Sequence, residues 1–454
     1  MQLSMPGDQP DAIIGSIQFD YLAAIRDARN DPRQLEQLYQ EARGRHSAAR
    51  FAAALATCYQ EAPQDLLYAA WYFRLEQTAE SDLPARLSAS WRVAIPLALL
   101  LGLIFWGLSA PQLLVLGQIP VLALLALPVT GLALIWFLAL TARRGYVTAV
   151  VLSLALVAVT SYALAIPTFK GAITQRDYLT LMVAHLPLLA ASAIGIWLLW
   201  RGASARNCFA FLTKSIESIG TAGVYVIAGG VFVGLTYGLF QALSIELDPL
   251  VIRLLVAGGV GLIPVVAVAS VYDPTRTPSE QDFRRGFGKI LTVLMQALLP
   301  LTLLVLLVYL AVIPFNFARP FTNRDVLIVY NVGLFAIMGL LVGVTPIAAR
   351  EFPARFLPLL RIGIQLVAGL ALLVGMYALA AIVYRTTQGQ LTMNRVTVIG
   401  WNTINIGILA VLLVKQFTAK ADGWIEAVHA VARGGAVAYV IWGLALTLAL
   451  PWIF

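Results

Sequence analysis

Charge is what this sequence has least of. Asp, Glu, Lys and Arg together make up 12% of its 454 residues, while hydrophobic residues make up 60%. A water-soluble chain carries about twice that charged fraction, so the shortage excludes an ordinary soluble enzyme and points to an integral membrane protein. No Asp or Glu falls in the middle of a predicted span, which leaves a proton relay built on a buried carboxylate without a candidate. Histidine is scarce too. His46, His185 and His429 are far apart and have no metal-ligand spacing. The two cysteines, Cys58 and Cys208, cannot make a disulfide framework and read as reduced, structural residues. Paired-histidine motifs, cysteine clusters, phosphate-binding glycine loops and nucleophile elbows are all missing. The sequence therefore predicts no cofactor and no metal. A membrane enzyme acting on lipid-linked substrates is the least supported of the functional classes.

The start of the chain lacks the charged and apolar regions of a secretory signal, with Asp8 and Asp11 among its first residues. The first long apolar run is expected to act as an uncleaved insertion signal. The net charge of +8 sits in short connections between apolar runs. There it sets membrane orientation, and nucleic acid is not a partner.

What is present is helix. Residues 17–86 read as about four short amphipathic helices. Asp31-Pro32 is a start signal, an N-cap followed by proline at the first helical position. Leu35, Leu38, Tyr39 and Ala42 then lie on one helical face, and Phe51, Ala54, Leu55 and Cys58 repeat that spacing. Leu66, Ala69, Ala70 and Phe73 repeat it again and predict the buried face of a further helix. The hairpin spacing ending at Pro63 resembles a tetratricopeptide unit, with bulky Tyr39 where that family has a small residue. Residues 1–90 are thus expected to form an N-terminal cytosolic helical domain. A cytosolic protein partner is expected to bind through residues 17–86.

From Trp91 on, apolar runs are long enough to cross a bilayer. Spans are predicted near 93–110, 119–141, 147–167, 178–200, 218–242, 250–271, 289–314, 325–348, 359–384, 396–415 and 428–452. The fold class is an all-α polytopic bundle of about eleven spans over residues 91–454, with the lipid bilayer as its surroundings. Lys and Arg fall about two to one on the connections that include Arg143, Lys214, Arg276 and Lys420, against those that include Lys170, Arg319 and Arg324. That bias puts the N-terminus in the cytoplasm. Gly230, Gly234 and Gly238, and later Gly339 and Gly343, recur every fourth residue and predict close packing inside the bundle. Pro128, Pro187, Pro264 and Pro300 predict kinks. Asp248 is expected to cap a helix, and Arg253 one turn further in to snorkel or to pair with it. The charged connection 272–288 is expected to be a solvated loop in which Thr277-Pro278-Ser279-Glu280 starts a short helix.

Polar residues are dense between apolar runs in one place only, from Gly375 to Lys415. Tyr377-Ala378-Leu379, Arg385, Gln388, Gly389, Leu391, Thr392, Asn394, Arg395 and Trp401 together resemble a signature of an uncharacterised family of multi-spanning bacterial membrane proteins. In that family a helix ends in Tyr and Arg, and a Gly-Leu-Thr-x-x-Arg turn leads into the next. Here Gln390 is inserted after Gly389. The resemblance implies a many-helix protein of the bacterial cytoplasmic membrane and carries no activity with it.

The candidate polar site comprises Gln388, Thr392, Asn394, Arg395, Trp401, Asn402 and Asn405, with Gln365 and His185 as further polar groups inside spans. Asn402 and Asn405 share a helical face, which is expected to point into the bundle towards a polar group. Gln365 is expected to bond to Gln296 or Asn331, Arg361 to anchor at the cytoplasmic interface, and His185 to be satisfied by a neighbouring helix. Two functions follow. One is transport or export of a small or amphipathic solute, and the other is a non-catalytic scaffold or sensor working through the N-terminal domain.

Overall fold

The computed structural model describes residues 20–44, 47–81, 83–165, 172–200, 202–283, 286–349, 352–420 and 423–454. Expectations that fall on residues 1–19, His46, Lys170, Arg201, Arg284, Arg285 and Arg350, or on the side chains of Arg86, Arg324 and Asp325, lie outside the described residues. The chain divides into two compact units, Met1–Ser88 and Ala89–Phe454.

The first unit is a four-helix arrangement of α1 (Tyr21–Asp27), α2 (Pro32–Gly44), α3 (Ala48–Glu61) and α4 (Leu66–Ser81). Asp20, Asp31 and Asp65 each accept two backbone N–H groups in the first turn of α1, α2 and α4, so carboxylates hold three of the four starts. Ile25, Leu35, Phe51 and Leu55 are fully buried. Tyr39 packs between the rings of Phe51 and Trp71, so the bulky residue is a core member. Arg26 grips Glu61 through both carboxylate oxygens, at 2.6 and 2.9 Å. The face predicted for α4 is wrong. Leu66 and Phe73 are 85% and 53% exposed, while Tyr68 and Trp71 fill the core. Both faces of α4 are apolar, and the larger aromatic pair takes the inside because it removes more surface from water.

In the second unit, eleven helices among the described residues are long and apolar enough to cross a membrane. They are α5 (Leu83–Leu108), α6 (Val121–Ala142), α7 (Tyr146–Ala165), α8 (Ala172–Leu199), α9 (Ala205–Ala242), the span Pro249–Val271, α12 (Gly286–Val312), α14 (Arg324–Val344), α15 (Leu357–Thr387), α16 (Met393–Thr418) and α17 (Trp424–Ile453). The span Pro249–Val271 is interrupted by a π turn at Leu254–Gly258 between α10 (Pro249–Arg253) and α11 (Gly259–Val271), and α13 (Arg319–Thr322) is a single turn. A two-stranded hairpin, β1 (Leu114–Val115) and β2 (Ile119–Pro120), joins α5 to α6. The fold is thus an all-α polytopic bundle with a small helical unit at its N-terminal end.

Three apolar clusters build the bundle. One joins α5, α6, the last turns of α8 and α11, around Phe105, Ile135 and Val265. Another joins α12, α14, α15, α16 and α17, around Leu334, Ile364 and Leu409. A third, with Leu124, Tyr178, Leu186 and Leu446, links α6 and α8 to α17. Pro128, Pro187, Pro264 and Pro300 all lie inside helices that continue past them.

Five expectations need correction. First, α9 begins about thirteen residues earlier than the predicted span, because Ser204 caps it and Lys214 and Glu217 pair inside it. Lys214 is therefore a buried helix residue and does not belong to a loop. Second, a Cβ added at Gly230, Gly234, Gly238 or Gly339 would meet nothing within 4 Å, so these glycines do not mediate packing within the chain; Gly343 alone lies against Met295. Third, Arg253 donates to the carbonyl of Trp106 (2.8 Å) and to Ser109 at the end of α5, leaving Asp248 to cap α10. A guanidinium at a helix C-terminus meets unpaired carbonyls there. Fourth, the 272–288 connection is held in place. The Gln281 side chain is buried and bridges the N–H and carbonyl of Asp273, and Thr277 and Glu280 form a capping box. Fifth, Arg361 does more than anchor: it donates to the carbonyls of Gln416 and Ala419 and so closes the end of α16.

Candidate functional site

Residues 401–405 of α16 tie that helix to three neighbours. The Trp401 indole N–H donates to His185 Nε2 on α8, at 3.2 Å. Asn402 Nδ2 donates to Asn331 Oδ1 on α14, at 2.5 Å. Asn405 Oδ1 accepts the Tyr439 hydroxyl of α17. Successive residues of a helix turn by about 100°, so adjacent Trp401 and Asn402 reach different helices, and Asn405 reaches a third. Both amides are essentially fully buried. Trp401 and Tyr439 also meet edge to face, with Phe335 of α14 against both rings. The result is a layer of polar bonds and aromatic rings that joins α8, α14, α16 and α17.

His185 is neutral in this layer. An indole nitrogen only donates, so Nε2 accepts, and Nδ1 carries the hydrogen that goes to the Leu181 carbonyl at 2.7 Å. Both ring nitrogens are engaged, and the ring stacks on Trp401.

One turn from this layer lies a cleft of about 600 Å³, lined among others by Asp177, Thr180, Asn331, Arg385, Thr392, Asn394, Arg395 and Val398. It sits where α8, α14 and α16 begin and α15 ends. Val398 lies four residues before Asn402, and Leu181 four before His185, so the cleft and the layer are one helical turn apart. Asn331 lines the cleft and also makes the bond to Asn402, so it belongs to both.

The turn between α15 and α16 shapes the mouth. Thr392 caps α16 through the Arg395 N–H. Arg395 folds back over the turn and donates to the Gln390 carbonyl at 2.6 Å. It can do so because Gly389 has no side chain: a Cβ there would lie 2.8 Å from Arg395 Nη1. Arg385 ends α15, where a cation suits the helix carbonyls, yet its Nη1 is buried with no hydrogen-bond partner. A buried, unpaired donor costs about 1–3 kcal/mol, and more on a charged group. Asn402 Oδ1 is likewise without a donor.

Of the nine predicted site residues, Thr392, Asn394 and Arg395 line the cleft, and Trp401, Asn402, Asn405 and His185 form the layer beneath it. Gln388 is exposed at the end of α15, outside the cleft lining. Gln365 is half-buried on α15, twenty residues from Arg385 and thus about 30 Å along the helix. Its expected partner Asn331 is engaged by Asn402 and by the Leu327 carbonyl instead. Sequence reasoning missed Asp177, Thr180, Asn331 and Arg385 as members of one site. Arg385 and Asn331 were visible as polar residues near span ends, but only packing brings α14 and α15 to the same cleft.

A second buried polar group lies in the first half of α9. Lys214 Nζ donates to Glu217 (2.7 Å) and to the carbonyls of Asp282 (2.5 Å) and Val271 (3.2 Å), and it lies over the Phe283 ring. Gly288 lies so close to Glu217 that a Cβ would sit 2.8 Å from its Oε1. The pair pins the 272–288 connection to α9. A smaller cleft, of about 190 Å³, is lined by Arg144, Trp197, Trp200, Asn207 and Arg276, at the far end of α8.

The length and apolarity of eleven helices define the class: an integral membrane protein of the multi-pass helical kind. No family model, no curated protein and no solved structure matches the chain.

Proposed function

We propose that the protein carries a small solute across the bacterial cytoplasmic membrane, with the 600 Å³ cleft as the solute's binding site on one side. The observation that carries this reading is the course of α8. Asp177, Thr180 and Leu181 near its start line the larger cleft, and Trp197, Leu198 and Trp200 near its end line the smaller one. Between them His185 accepts the Trp401 indole hydrogen bond. Two clefts with a layer of interhelical bonds between them suit alternating access, because rocking α8 against α16 would open one side as the other closes. The polar bond between these two helices that would have to exchange is the one from Trp401 to His185.

In this reading the charge bias of the connections puts the N-terminus in the cytoplasm and the larger cleft outside. The α15–α16 turn, which resembles the signature of the uncharacterised bacterial family, shapes the mouth through its Gly389 and Arg395. The test is reconstitution of the full chain into proteoliposomes, followed by counterflow with individual amino acids, hydroxy acids, dicarboxylates, sugars and organic phosphates. Exchange of one class, abolished by Trp401→Leu, is expected. Inserted, folded protein that exchanges none of them would overturn the reading.

A second reading, a scaffold or sensor, has its own observation. Leu66, Ala70 and Phe73 present an exposed apolar face of α4, beside the stacked rings of Tyr59 and Tyr72. Single exposed apolar residues are ordinary, but a face of this kind suits a protein partner. Capture of one cytosolic protein by the wild-type chain, lost on Leu66→Ser with Phe73→Ser, would support it.

A further inference from the structure

Among the described residues that line the larger cleft, positive charge outweighs negative. Arg385 and Arg395 line it together with the first turn of α16, whose free N–H groups add partial positive charge. Against them stands one carboxylate, Asp177, which is exposed at the rim and has no ion-pair partner among the described residues. Arg385 Nη1 is the telling atom. It is buried with no hydrogen-bond acceptor among the described residues, and the Arg385 side chain that carries it lines the cleft. Arg395 gives one Nη1 hydrogen to Gln390 and has no other partner among the described residues. Planar guanidinium donors of this kind match an acid group's oxygens. Asn331 offers an amide at the inner end, beside the apolar side chains of Leu181, Leu327 and Val398.

We infer that this cleft binds a small hydroxy or amino acid, with its carboxylate on Arg385 and Arg395 and its hydroxyl or ammonium group towards Asp177. The inference rests on the solute-binding reading above and names the class of solute. Two guanidiniums and one carboxylate leave a single positive charge, which one acid group neutralises. A second acid group at the rim would meet Asp177 and be repelled, unless an ammonium beside it met that carboxylate first. The volume of about 600 Å³ lies within the range of small-molecule pockets. An anionic lipid headgroup carries the same oxygen chemistry, and the test separates the two sources.

The experiment uses the full chain in nanodiscs of phosphatidylcholine, with thermal unfolding read against L-lactate, propionate, L-glutamate, glutarate and glucose. Lactate or glutamate is expected to raise the melting temperature in a saturable way, and the matched acid without the donor group to bind about fivefold or more weakly. Arg385→Gln should weaken the acid by about tenfold or more, as loss of a charge-assisted bond does, with Arg385→Lys intermediate. Arg395→Gln provides the same readout if Arg385→Gln does not fold. Asp177→Ala should erase the difference within each matched pair while leaving the acid bound. Stabilisation by glucose alone, or acid binding unchanged in both arginine variants, overturns the assignment. So does stabilisation only when phosphatidylglycerol is added to the nanodisc, with no competition from any soluble acid. Flux of sugars without acid binding would sink this inference and leave the transport reading, whereas acid binding without flux would do the reverse.

Discussion

The two halves of α9 differ in sequence and in surroundings: the first carries Lys214 and Glu217, and the second is almost wholly apolar. In the first half Cys208, Phe209, Ala210, Lys214, Glu217 and Thr221 are buried. From residue 222 to the end of the helix none is, and Ile227, Phe232, Leu235 and Leu239 are all more than 60% exposed. The glycines at 230, 234 and 238 lie in this second half and touch nothing. α16 is the opposite case, fastened to three helices by Trp401, Asn402 and Asn405. Apolar character sends a segment into the membrane but does not decide whether it faces protein or lipid, since lipid tails are as apolar as leucine. Polar groups that need partners, and backbones that approach closely, decide that.

The largest effect expected from breaking this contrast is at the anchored half of α9. Lys214→Met leaves Glu217 buried without its cation and should cost about 3–5 kcal/mol of unfolding free energy, measured by denaturant titration in mixed micelles. The double variant with Glu217→Leu should recover most of the loss. If the single and double variants were equally unstable, the pair would not be the fastening.

A steric version sharpens the same contrast. Gly400 of α16 lies under the Trp442 ring of α17, where a Cβ would fall 1.9 Å from the indole. Gly400→Ala should therefore cost about 1–3 kcal/mol, as overpacking does. Gly234→Ala, which meets nothing, should stay within about 0.5 kcal/mol of wild type. A large loss at Gly234 would mean that the free half of α9 has a partner in the membrane.

Asn402→Leu and Asn405→Leu come next, each expected to lower stability by about 0.6 kcal/mol, the average for an interhelical hydrogen bond in a membrane. Thermal unfolding in detergent would read it, and a loss several times larger would show that the layer acts as a unit.

The smallest effect lies in the N-terminal unit, where water competes with every bond. The Arg29 guanidinium, 2.8 Å from Asp65, holds that carboxyl below the usual carboxylate range, with the Leu67 and Tyr68 N–H groups helping. A depressed carboxyl contributes stability above its unfolded value of about 3.9, and the contribution is lost as pH falls through the folded value. Acid titration of the unit's melting should show a loss below about pH 4 that is absent in Asp65→Asn. The buried Cys58 thiol is pushed up by desolvation, so alkylation should stay slow through neutral pH.

Much of the fold was legible from position along the chain. Asp31 before Pro32, Asp248 before Pro249 and Thr277 with Glu280 cap helices as their spacing predicts, because a cap involves only residues three apart. The inward face of Asn402 and Asn405 was legible for a related reason, since a buried amide must find a partner. The partners were not. Asn331 could have served Gln365 or Asn402, and Arg253 could have reached Asp248 or the end of α5.

By itself the sequence determined the class of protein, the number and rough bounds of its membrane helices, and the start of α2 at Asp31-Pro32. Hydropathy and capping are local quantities, readable within a window of about 20 residues. Only the tertiary structure decided which face of α4 is buried, which half of α9 is free, and that Asp177, Asn331, Arg385 and Arg395 share one cleft. Those residues come from four helices separated by long stretches of chain, and inside a membrane neither hydrophobicity nor helical period says which helix is whose neighbour.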